Sequence, residues 1–145
     1  MDVRFIWLCG QEDLSLPYQI RQEVFTDEQG FAAEIDVDQW DACAEHILLY
    51  IDGKPAGTGR LFPDPQEAGA YHLGRICLRP AYRGKGLGAA MLDQMLLRAR
   101  AAGARSAVLG AQCSAVPFYQ KSGFVPYGEI FDDGGCPHQH MRYTF

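Results

Sequence analysis

The chain has 145 residues, 48% of them hydrophobic and 21% charged, with a formal net charge of -5. That is the length of one domain with a real core, and residues 1–145 read as a single unit. The negative balance argues against nucleic acid as a partner, and no apolar run approaches the ~20 residues that span a bilayer.

The opening MDVRFIWLCG lacks the charged-then-apolar order and cleavage site of a signal peptide. Five scattered cysteines, an odd number, make no disulfide framework, so a cytoplasmic location is expected.

Val3 to Leu8 reads as a first strand. Leu14 to Phe25 carries apolar residues at helical spacing, with Pro17 tolerated near the start. The polar, acidic stretch from Thr26 to Asp41 reads as loop or short helix. His46 to Ile51 and Ala56 to Phe62 are two strands joined through Asp52-Gly53, a hairpin dipeptide. Tyr71 to Leu78 is a longer strand closed by Pro80, with Gly74 inside it marking a bulge or a close backbone approach. From Leu87 the apolar residues recur as Leu87, Met91 and Met95 beside Leu92, Leu96 and Ala99, a helix that Gly103 caps. Ser106 to Gly110 is a short buried strand. Val116 to Ser122 is a short helix ending at Gly123. Phe124 to Ile130 and His138 to Phe145 are two last strands around Asp132-Asp133-Gly134-Gly135.

Between the long strand and the long helix lies Arg83-Gly84-Lys85-Gly86-Leu87-Gly88. A glycine turn opening a helix leaves backbone N–H groups unpaired at the positive end of the helix dipole. Such a site binds anions, a pyrophosphate among them. A nucleotide P-loop needs Ser or Thr after the lysine, where Gly86 stands. A dinucleotide fold needs an acidic residue about 20 positions on. Here no Asp or Glu falls between Asp93 and Glu129.

Arg83, Gly86 and Gly88 do match the Arg/Gln-x-x-Gly-x-Gly/Ala pattern of the GNAT superfamily of N-acetyltransferases, and the chain resembles that family from end to end. Phe118-Tyr119-Gln120-Lys121-Ser122-Gly123-Phe124 is similar to the family's closing aromatic run. Three further stretches resemble its ElaA-type branch. The first runs Arg21-x-Glu23-Val24-Phe25-x-x-Glu28-Gln29-Gly30, then Glu34-Ile35-Asp36-x-Asp38-x-x-Asp41. The others are Ala111-Gln112 and Gly135-Cys136-Pro137-His138-x-x-Met141. The Arg21 to Asp41 pattern is also similar to acyl-homoserine-lactone synthases, which are longer chains.

The resemblance implies an α/β (α+β) fold: a mixed, mostly antiparallel sheet flanked by helices, with splayed parallel strands at a cofactor cleft. It implies acetyl-coenzyme A as co-substrate, held by Ile76, Cys77, Leu78, Arg83, Gly84, Lys85, Gly86, Leu87, Gly88 and Phe118. The acceptor is expected to be an amine of a small molecule or peptide, and a homodimer is one expected assembly.

Tyr119 is the candidate acid. Amine attack on a thioester expels a thiolate, whose thiol has a pKa of about 8.5, and a positioned hydroxyl stabilises or protonates it. Some relatives carry a glutamate on the long strand, at the place His72 holds here. His72, with an ordinary pKa of about 6.5, is therefore a candidate base, beside a water chain. Arg21, Glu28, Asp36 and Asp38 are candidate acceptor-pocket residues for a cationic or zwitterionic amine. Cys136, His138 and His140 alternate as metal ligands on a strand do, but their spacing is not a usual zinc pattern and no metal is expected.

Overall fold

Alternation along one strand explains how the two layers of helix are held. In the computed structural model, which describes residues 1–145, β2 (Glu45–Ile51) turns Ile47, Leu49 and Ile51 to one face and Leu48 to the other. The first set packs on α3 (Leu87–Ala101) through Met91, Leu92, Met95 and Leu96, all buried. Leu48 packs with Ile20 of α1 (Ser15–Arg21), Val24 and Cys77 on the opposite face. Period-two strand patterning thus clamps the sheet between two helices.

The remaining elements are β1 (Val3–Cys9), α2 (Ala33–Asp36), β3 (Lys54–Pro63), β4 (Ala70–Leu78), β5 (Ser106–Gln112), α4 (Val116–Lys121), β6 (Val125–Asp133) and β7 (Cys136–Thr144). The seven strands form one sheet in the order β1-β2-β3-β4-β5-β7-β6. Every neighbouring pair is antiparallel except β4 and β5. That pair is matched only at Ala70↔Ser106, Tyr71↔Ala107 and His72↔Val108. Beyond His72 the two strands part, leaving backbone polar groups of both facing a gap.

Three local features differ from the sequence reading. The first helix ends at Arg21 and continues from Gln22 to Glu28 as wider π-turns, with Gln29 N–H reaching back to the Val24 carbonyl at 3.1 Å. Such turns are frequent at functional sites. The bulge in β4 falls at Arg75, not at Gly74. Gly59 of β3 faces both Arg75 and Ile76, and Arg75 takes φ +51°. A left-handed arginine is strained. The strain is offset by the hydrogen bonds of Arg75 to the carbonyls of Ile35 (3.2 Å) and Asp36 (3.0 Å) and to Asp38 (3.2 Å). The last hairpin turns on Gly134 and Gly135 alone, at φ +63° and +84°, so Asp132 and Asp133 belong to β6.

Candidate active site

The gap between β4 and β5 opens into a cavity of about 580 Å³. One wall is β4 from His72 to Leu78, and the other is β5 from Leu109 to Gln112. Ala115, Phe118 and Tyr119 close it behind β5. Val24, Phe25, Gln29, Phe31, Ile35 and Asp36 cover it from the segment after α1, while β6 and β7 contribute Phe131, Asp133, His138 and His140.

The glycine turn sits at one end. Gly84 and Gly86 adopt φ +77° and +76°, and a Cβ on either would meet nothing within 4 Å. No side chain caps α3, so its first N–H groups stay free for an anion. Gly88 is the close approach: a Cβ there would lie 3.4 Å from the Phe118 ring and 3.6 Å from Leu78. Arg83 is bound in the chain, donating to Glu28 through two bonds of 2.7 Å and to the Leu78 carbonyl at 3.0 and 2.8 Å.

Tyr119 is buried against Phe118 and Phe124, with ring centroids 5.0 and 5.7 Å away. Burial, with Cys77 adding to it, raises its hydroxyl well above the ordinary tyrosine range. The hydroxyl therefore keeps its proton at neutral pH and can donate. Cys77 is pushed up to about 12 by burial. It remains a thiol and is a poor nucleophile.

His72 borders the cavity and stacks on Phe62, which stacks in turn on Trp40. Its Nδ1 lies 3.7 Å from Asp64. Burial lowers its pKa and outweighs the opposing pull of Asp64, so the imidazole is neutral and able to accept a proton.

Of the four candidate acceptor residues, only Asp36 borders the cavity. Arg21 is fully buried and bonds Asp36 (3.0 Å), Asp41 (2.7 Å) and the Asp36 carbonyl (2.6 Å). Asp38 holds Arg60 at 2.6 and 2.9 Å and Arg75 at 3.2 Å. Glu28 is turned to Arg83. Three arginines and three aspartates thus neutralise one another at and behind the wall and fix the 35–41 segment, whose Ile35 and Asp36 border the cavity. Desolvation of Asp41 opposes its ionisation, but hydrogen bonds and charge from Arg21, with Arg60 adding, prevail and hold it at about 2.

The model of the acetyltransferase (GNAT) domain matches residues 17–145. The chain belongs to the GNAT family of acetyltransferases. An uncharacterised N-acetyltransferase of Bacillus subtilis, YjcF, is 36% identical over 133 residues, covering 91% of this chain and 93% of that protein. The crystal structure of Escherichia coli ElaA superposes with a TM-score of 0.86 at 26% identity, covering 97% of this chain and 99% of that one. A Bacillus subtilis acetyltransferase solved with CoA shares the fold, with a TM-score of 0.75, 17% identity and 99% of each chain covered.

This GNAT cavity also gathers residues that the sequence reading did not assign to it. Arg75, Gln29 and Gln112 border it, and Gln112 donates to Gln29 at 2.8 Å, a bond that crosses the cleft. Phe131 reaches it because β6 carries two extra residues between Tyr127 and Phe131 relative to β7. The Gly110 and Gly128 positions carried the local signal: a Cβ on Gly110 would meet Phe131 at 3.1 Å, and Gly128 has φ +72°.

Proposed function

We propose that the protein transfers an acetyl group from acetyl-coenzyme A to the amine of a small molecule or peptide, by direct attack. The observation that carries this reading is the parting of β4 and β5 after three rungs into a cavity that holds Tyr119.

In this reading the free N–H groups of Gly84 to Gly88 and the start of α3 take the pyrophosphate, with Lys85 and Arg83 supplying positive charge. Ile76, Cys77 and Leu78 lie on the part of β4 that has lost its parallel partner, and their backbone groups suit the amides of the pantetheine arm. Gly88 and Phe118 flank the same passage. The co-substrate supplies the activated acyl group and the thiolate leaving group.

Tyr119 then donates its proton or a hydrogen bond to the departing sulfur. His72 is the base in the cavity wall. An amine of pKa near 10.4 is neutral in about one part in a few thousand at pH 7, so a neutral imidazole that accepts its proton has work to do. Cys77, held as a thiol, does not form an acyl-enzyme, which favours one-step transfer.

The test is release of free thiol from acetyl-coenzyme A across a panel of amines. Thiol release that depends on an amine supports transfer. Stabilisation by coenzyme A with no amine-dependent thiol would make this a binding module instead.

A further inference from the structure

Resting on the transferase reading, we infer that the acceptor is an amine on an apolar, aromatic-sized body that carries no carboxylate or phosphate. Most charges at the cavity wall are already engaged by partners within the chain. Four charged side chains border it besides the histidines: Asp36, Arg75, Arg83 and Asp133. Asp36 pairs with Arg21 and Arg75, Arg75 also with Asp38, and Arg83 with Glu28. Arg75 is held between two aspartates and Arg83 belongs to the glycine turn given to the pyrophosphate, so neither is left for an anionic group of the acceptor. Asp133 alone forms no ion pair.

The hydrogen-bonding groups agree in sign. Gln29 and Gln112 are bonded to each other. His138 is more than nine-tenths buried, and its Nδ1 lies 2.8 Å from the Cys136 carbonyl. A carbonyl only accepts, so Nδ1 carries a proton, and in that tautomer Nε2 is the acceptor. Phe131 pairs with His138, and Asp133 with Cys136, so Phe131, Asp133 and His138 share one face of the β6–β7 hairpin. That face offers acceptors for an amine N–H, next to a ring.

The body of the acceptor meets apolar surface. Phe25, Phe31, Ile35 and Phe131 line this part of the cavity. The β6–β7 turn packs against two of them, because a Cβ on Gly134 would come within 2.7 Å of Phe31 and 3.1 Å of Ile35. A carboxylate placed here would face Asp133 with no unpaired arginine or lysine to offset it, at a cost of about tenfold or more in affinity.

The experiment compares 2-phenylethylamine with phenylalanine, which differ by one carboxylate. Binding of each to the coenzyme A-loaded protein is measured by calorimetry, so the readout does not depend on turnover. The expected result is at least about tenfold tighter binding of the amine. Equal or tighter binding of phenylalanine, or no binding of the amine at millimolar concentration, overturns the inference. Asp133→Asn, at an exposed position, should weaken the amine by about three- to tenfold and leave coenzyme A affinity unchanged. Unchanged amine affinity in that variant overturns the role given to Asp133. Acetylation of amino acids but not of simple amines would sink this inference alone. Failure of thiol release with every amine would instead sink the transferase reading.

Discussion

Glu28 holds both terminal nitrogens of Arg83 at 2.7 Å, so the cation at the head of the glycine turn is half neutralised before any ligand arrives. Both side chains are partly exposed, and such pairs contribute little because solvent screens them. Glu28→Gln should therefore raise coenzyme A affinity by up to about fivefold, with the gain shrinking as salt is added. Calorimetry at two ionic strengths measures it, and weaker binding in the variant would show that Glu28 assists the ligand.

Gly86→Val should lower coenzyme A affinity by more than Lys85→Ala does. The valine must take φ +76° and projects into the space a pyrophosphate needs, whereas the lysine charge acts through solvent. Unchanged affinity in the Gly86 variant would remove the phosphate turn from the mechanism.

Tyr119→Phe keeps the ring that packs on Phe118 and Phe124 and removes one hydroxyl. Turnover should fall by about 10–10³-fold while affinity for acetyl-coenzyme A stays nearly constant. Equal losses in both would make the hydroxyl a binding group, and no loss in either would return it to the core.

Asp41 links acid stability to the buried ionic cluster. Its folded pKa, about 2, lies below the unfolded value. Its contribution, roughly 2 kcal/mol, is therefore fully present above pH 4 and lost as pH falls from about 4 to about 2. Asp41→Asn should flatten that part of the acid denaturation curve. It should also destabilise the fold at pH 7 by about 3–5 kcal/mol, because Arg21 and Arg60 lose a buried partner. Denaturant titrations at several pH values give both numbers.

The parts of this structure that follow local rules could be read from residue order. Leu87, Met91 and Met95 repeat at helical spacing, Asp52-Gly53 turns a hairpin with both residues at positive φ, and Gly84 and Gly86 supply the two positive φ angles of the turn before α3. The parts fixed by distant partners could not. Arg75 is left-handed because carbonyls of residues 35 and 36 hold it, and nothing in Gly74-Arg75-Ile76 announces that. Arg21, Asp36 and Asp38 read as acceptor-pocket residues because their engagement depends on Arg60 and Arg75, which lie on strands well beyond them in the chain. His138 joins the cavity through register with Gln112, a relation that only the completed sheet defines.

The three rungs between β4 and β5 also give the sheet a mechanical seam. Strands β1 to β4 form one plate and β5 to β7 another, joined along the sheet at Ala70, Tyr71 and His72 and bridged on the far side by the Gln29–Gln112 bond. A ligand lying in the gap stitches the two plates along the rest of their length. Loading and release of that ligand are then changes in stiffness of the whole domain, and amide exchange on Leu73–Leu78 and Leu109–Gln112 should slow together when coenzyme A binds.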